Sequence, residues 1–176
     1  VQIVLMTGTT CGLIEEVLTY RLEAEFVAGP VCHPELEEKK TWTEELVLVT
    51  SPRFRSLDDV LASSSQPNII VFREGCTYRE RLERLLGERG ITAIRRLEMG
   101  TVDGILGCAR AGLGITLMPR GVASRAASEG EIGIHSLPKN QAFVQTVCIR
   151  RKDAATSAAL DRFLESATTS ATISKG

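Results

Sequence analysis

The stretch IIVFREGCTYRERLERLLGERGI, Ile69 to Ile91, decides how the rest of this chain is read. It opens on an apolar run of the kind found in a strand covered on both faces, and it breaks at Gly75. Tyr78, Leu82, Leu85 and Leu86 then fall on one helical face. Thr77, with Glu80 three residues on, has the form of a capping box, and the helix is expected to end near Gly87 or Gly90. Strand, glycine turn and capped helix make one unit of an α/β sheet.

The unit recurs on both sides. Downstream, IRRLEMG (Ile94–Gly100) reads as a strand, and Thr101 opens a helix with Val102, Ile105, Leu106 and Ala109 on one face. AGLGITLMP (Ala111–Pro119) adds a glycine-rich turn and a strand closed by Pro119. A weak strand (EIGIHSLP), a stronger one (FVQTVCIRR, Phe143–Arg151) and a helix carrying Leu160, Phe163 and Leu164 follow. The small, polar tail from Thr168 to Gly176 is expected to be frayed. Upstream, VQIVLMTG (Val1–Gly8) predicts a buried strand, and Thr9 or Thr10 caps a helix with Leu13, Ile14, Val17 and Leu18 on one face. LEAEFVAGP and ELVLVTSP (Glu45–Pro52) predict two further strands, and Ser56 caps a short helix with Asp58 and Asp59 in its first turn. A chain that opens in mid-strand is expected to have lost a segment upstream.

Composition narrows the function. The chain has 176 residues, 43% hydrophobic and 24% charged, with a formal charge of -1. That balance, without a basic stripe interleaved with aromatics, is not expected to hold DNA. No apolar run approaches the ~20 residues of a membrane helix, and no leader opens the chain, so a soluble, cytoplasmic protein is expected. The five cysteines (Cys11, Cys32, Cys76, Cys108, Cys148) contain no CxxC. Free thiols are expected, with no disulfide framework, metal site or cofactor.

Three strand-to-helix turns carry the candidate site: TGTT (Thr7–Thr10), REGCT (Arg73–Thr77) and EMGT (Glu98–Thr101). Each combines a glycine, which admits close approach of a ligand, with a helix start whose unpaired N–H groups favour an anion. Ordinary capped helices share this pattern. Arg73 beside one turn adds a cation for a small carboxylate, while Arg79, in a first helical turn, is expected to pair with Glu83. Catalysis lacks its parts. Cys76 would need a base, and only His33 and His135 exist; no HExxH, P-loop or dinucleotide motif is present, so no catalytic residue is assigned.

The run Ile69–Ile91, followed by LEMGTVDGILGCARAGLGITLMP (Leu97–Pro119), resembles the second lobe of the effector-binding domain of LysR-type transcriptional regulators. Members of that family often show a "gcsyR" turn and then a helix ending in "aGlGi…lP". VQIVLMTGTTCGLIEEVLTYRLEAEFVAGPVCHPEL is similar to the family's first lobe, so the resemblance spans roughly Val1 to Leu164. It implies an α/β fold of two Rossmann-like lobes joined by two crossover strands, like type 2 periplasmic binding proteins. Lobe I would take residues 1–50 and 147–176, without the family's first strand and helix, and lobe II residues 51–146. It also implies an effector held by Gly8, Thr9 and Thr10 on one lobe and by Phe72, Arg73, Cys76, Gly100 and Thr101 on the other. The partners implied are a small anionic effector, further copies in a dimer or tetramer, and DNA through a helix-turn-helix domain outside this chain. Two alternatives stand beside this: a periplasmic-type solute-binding protein for small anions or amino acids, and a redox-sensing regulator pairing Cys76 with a second cysteine such as Cys108.

Overall fold

The computed structural model describes residues 4–64, 66–155 and 157–173, with side chains as far as residue 167. In chain order the elements are α1 (Thr10–Leu18), β1 (Glu25–Ala28), β2 (Leu36–Thr50), α2 (Leu57–Ser63), β3 (Asn68–Val71), α3 (Thr77–Gly87) and β4 (Arg95–Glu98). There follow α4 (Val102–Arg110), β5 (Thr116–Pro119), α5 (Arg120–Ser128), β6 (Gly133–Ser136), the one-turn α6 (Lys139–Ala142), β7 (Phe143–Arg151) and α7 (Ala158–Ile173). They divide into two units. Unit 1 comprises residues 1–43 and 144–176, unit 2 residues 44–143, and the chain passes between them inside β2 and at the start of β7.

In unit 1, β1 pairs antiparallel with β7, Phe26 opposite Cys148. The Thr41 hydroxyl donates to the Thr146 carbonyl at 2.7 Å and the Gln145 amide donates to the Trp42 carbonyl at 2.7 Å, tying β7 to β2. The apolar face of α1 supplies Leu13 and Val17 to a core with Val27, Leu36, Val147 and Ile149. The C-terminus of α1 is closed by paired backbone bonds, Tyr20 N–H to Val17 and Arg21 N–H to Glu16, with Tyr20 in the left-handed region at φ 59°. Arg151 holds this turn. Its guanidinium donates to the Leu18 carbonyl at 2.9 Å, lies 4.3 Å over the Tyr20 ring and pairs with Asp153, which also accepts from the Tyr20 hydroxyl at 2.9 Å.

In unit 2, β3 and β4 run parallel, and β3 meets the start of β5 through a parallel bridge between Ile69 and Ile115. The second half of β2 lies antiparallel to β5 and to β6. Leu46–Thr50 are buried one after another, which requires cover on both sides of the sheet. On one side Val47, Val49, Ile70 and Met118 pack with Ile105 and Ala109 of α4 and Ala123 of α5. The alternate residues Leu46, Leu48, Ile69 and Leu117 face the other way and are equally buried, with α3 against β5 supplying Leu82, Leu85 and Leu86.

Several expectations need correction. Residues 4–8 form no strand, and Val4, Leu5 and Met6 are largely exposed; the rest of that expected strand, residues 1–3, lies outside the described residues. An apolar run becomes a strand only when a neighbour takes its backbone hydrogen bonds, and residues 4–8 have none among those described. β2 begins nine residues before the expected Glu45, because its first half, LEEKKTWTE, is charged and half solvated, a pattern without the apolar run that marks a strand. The tail is helical as far as Ile173, continuing α7; residues 174–176 lie outside the described residues. Helices α5 and α6 had no counterpart in the sequence analysis.

Candidate functional site

The turns of unit 2 are brought together by the sheet. Because β3 and β4 are parallel neighbours with Val71 opposite Glu98, the segments that leave them, Phe72–Cys76 and Met99–Thr101, emerge at the same edge. The Met99 N–H donates to the Val71 carbonyl at 2.9 Å and carries the ladder one residue past the strands. Each segment then enters a helix, α3 or α4, whose first N–H groups have no acceptor within the helix.

At α4, Thr101 is the N-cap, its hydroxyl accepting from the Gly104 N–H at 3.1 Å. A Cβ on Gly100 would meet nothing within 4 Å, so the backbone there is open to approach. At α3 the cap differs from expectation. Cys76 occupies the N-cap with φ -90° and ψ 120° and makes no side-chain capping bond, while Thr77 is the first helical residue. Gly75, at φ 85°, turns the chain one residue earlier than a threonine cap requires, which shifts Glu80 out of the capping-box position. Cys76 itself therefore gives the helix start no side-chain acceptor, because a thiol is a weak one.

Arg73 is exposed and forms no ion pair among the described residues. Phe72 is half-buried and packs against the unit 2 core, as does Cys108. Arg79 is engaged: it donates to Glu83 at 3.1 Å, as expected, and to Glu98 at 2.7 Å, while Arg96 reaches Glu83 at 2.8 Å. These bonds fasten the first turn of α3 to β4 and fix the spacing of the two turns. The hydrogen bond from Arg96, then that from Arg79, holds the Glu83 carboxyl below its usual range. Glu98 and Arg96 were not singled out from the sequence, since a bond between residues 19 positions apart leaves no local spacing signal.

In unit 1, Thr9 is the N-cap of α1, accepting from the Gly12 N–H at 3.4 Å, with Thr10 the first helical residue. Gly8 is exposed, and a Cβ there would press on Leu13 at 3.3 Å. The structure thus joins Phe72, Arg73, Cys76, Gly100 and Thr101 at one sheet edge of unit 2, and Gly8, Thr9 and Thr10 at one helix start of unit 1.

All five cysteines are free thiols. Burial pushes the Cys148 thiol up to about 11, which keeps it protonated. His135, half-buried in β6, has Nε2 2.9 Å from the Thr50 hydroxyl, and burial lowers its pKa. The Nδ1 of His33 accepts from the Glu35 N–H at 3.3 Å. Among the described residues no group of three or more His, Cys, Asp or Glu could hold a metal, and no helix is long and apolar enough to cross a membrane.

The LysR substrate binding domain family matches the chain over residues 1–172. The chain belongs to this family. A LysR-type transcriptional regulator domain of this kind is an α/β, type 2 periplasmic-binding-like fold. Among curated relatives, the HTH-type transcriptional regulator GltR of Bacillus subtilis is 41% identical over 167 residues, covering 93% of this chain and 55% of that protein. The chain spans about half the length of the curated relatives it matches. Among solved LysR-type domains, the effector binding domain of QuiR in complex with shikimate is similar with a TM-score of 0.73 and 17% identity, covering 94% of this chain and 79% of that one. The Synechocystis PCC6803 CcmR regulatory domain in complex with 2-PG gives a TM-score of 0.74 at 14% identity, covering 93% and 80%.

Proposed function

We propose that this LysR-type domain senses a small carboxylate-like anion and performs no chemistry on it. The observation that carries the reading is the pairing of the Phe72–Cys76 and Met99–Thr101 turns at one edge of the β3/β4 ladder. Two helix starts follow these turns, each with N–H groups that no helical carbonyl takes, and Arg73 stands in one of the turns with no ion pair among the described residues. Oriented N–H groups, a positive helix end and a free guanidinium make a site for an anion. That QuiR holds shikimate, a carboxylate, lends support to the ligand class.

The proposal takes in Gly8, Thr9 and Thr10 of unit 1 as a second set of contacts. An effector bonded to both units would favour one arrangement of them over others, and the population shift is the signal. In a longer regulator, a helix-turn-helix domain outside this chain would receive it through a dimer or tetramer in the cytoplasm.

The test is calorimetry with a panel of small carboxylates that includes shikimate, against wild-type chain, Arg73→Gln, Thr9→Val and Thr101→Val. For whichever carboxylate binds, Arg73→Gln is expected to weaken affinity at least about tenfold, the scale of a charge-assisted hydrogen bond. Unchanged affinity in all three variants would refute the site.

A further inference from the structure

Helix α3 follows the Phe72–Cys76 turn directly, and two side chains near its start reach away from that turn. Tyr78 and Arg81, three residues apart, share one helical face. The Tyr78 hydroxyl donates to the Glu44 carboxylate at 3.2 Å, and the Arg81 guanidinium donates to the Phe143 carbonyl at 3.3 Å. Glu44 is the first residue of unit 2 and Phe143 the last. One face of one helix therefore holds both places where the chain enters and leaves the unit.

The bonding changes at those two places. Within unit 1 the strands are bonded to each other, the Thr43 hydroxyl donating to Gln145 at 3.0 Å and the Gln145 amide to the Trp42 carbonyl. Within unit 2, Glu44 and Phe143 are held by α3, while Glu45 takes a bidentate pair from Arg120 of α5 at 2.7 Å. Burial, then the Glu44 carboxylate, pushes the Tyr78 phenol above its ordinary pKa, so the hydroxyl stays the donor throughout the neutral range. On its other flank α3 is tied to β4 by Arg79 and Glu98, and Leu82, Leu85 and Leu86 are buried beneath it. A helix packed and bonded in this way shifts as one piece rather than bending.

We propose that Tyr78 and Arg81 are positioning residues that couple the turn at the start of α3 to the strand crossings at Glu44 and Phe143. Negative charge drawn to the first N–H groups of α3 moves the helix start, and the two bonds pass that movement to both crossings. Loss of the bonds loosens the turn in return, because coupling between two places is reciprocal. Its purpose rests on the anion-sensing reading; the coupling itself is visible without a ligand.

The test uses a tethered carboxylate. Cys76 is the N-cap of α3 and makes no capping bond, so Cys76→Asp puts an acceptor and a negative charge at the helix start. Amide ¹⁵N–¹H spectra of the labelled chain are compared with and without Cys76→Asp, in wild type and in a Tyr78→Phe, Arg81→Gln background. In wild type, Cys76→Asp is expected to shift the amides of Glu44, Glu45 and Phe143; in the double-variant background those shifts are lost. A purely structural role for Tyr78 and Arg81 would alter the background spectrum and leave the differences due to Cys76→Asp unchanged, as would a through-space effect of the new charge. Should the double variant fail to fold, Tyr78→Phe alone decides at Glu44 and Glu45. The coupling is overturned if Cys76→Asp leaves the three amides unmoved in wild type, or moves them equally in both backgrounds. Since no ligand takes part, either result is separate from the outcome of the carboxylate calorimetry.

Discussion

Gly114 stands where β5 begins, and a Cβ there would come within 2.6 Å of the Asn68 carbonyl oxygen. The Ile115 N–H donates to that same carbonyl at 3.0 Å, so neither backbone can withdraw without losing the bridge between β3 and β5. Gly114→Ala is therefore expected to cost about 1–3 kcal/mol of unfolding free energy in urea titration, and a variant as stable as wild type would contradict this packing. Gly112 of the same AGLGI motif has another reason: at φ 75° it closes the C-terminus of α4, with the Leu113 N–H donating to Cys108. From the sequence both glycines read only as a turn, because a contact across 46 positions leaves no mark in the local pattern. The thiols allow a second residue-scale prediction. Cys148 is buried and held protonated, while Cys11 and Cys32 are exposed, so a thiol reagent near pH 8 should modify the exposed pair and spare Cys148 until the chain unfolds. Mass mapping of a brief reaction checks the order.

At the scale of elements, the end of α1 and the start of α3 each depart from the residue type that usually occupies them. Tyr20 takes the left-handed position where glycine is usual, and the Arg151 and Asp153 contacts hold it there. Tyr20→Ala keeps the backbone strain and loses both contacts, so it should be less stable than Tyr20→Gly by about 1 kcal/mol in thermal or urea unfolding. The reverse order would mean that the turn is not strained. The α3 start depends on Glu83, whose folded pKa is depressed by Arg96 and Arg79. As pH falls below about 4.3 the unfolded chain takes up its proton first, so the stabilisation, present above that pH, is lost on acidification. Glu83→Gln should flatten the acid limb of stability against pH, and an unaltered limb would show that the carboxyl is not coupled to folding. Element existence was legible from apolar periodicity, as for α1, α3, α4 and β7. What escaped were the charged first half of β2, the α3 cap displaced by Gly75, and α5, whose alanines and serines make a weak stripe. The candidate turns were legible because glycine and threonine announce them; their neighbourhood in unit 2 was not, since β3/β4 pairing decides it.

At the scale of the whole molecule, unit 2 is a single uninterrupted stretch of chain, residues 44–143, whereas unit 1 is assembled from both ends. During synthesis the whole of unit 2 is made before residues 144–151 of β7, which carry the Val147 and Ile149 side chains of the unit 1 core. At ~5–20 residues added per second, the first 43 residues wait about several seconds for their partners, with the apolar face of α1 uncovered. Folding on the ribosome should therefore proceed from the middle of the gene outward. A fragment of residues 44–143 should unfold cooperatively by itself, and residues 1–43 alone should bind a chaperone or aggregate.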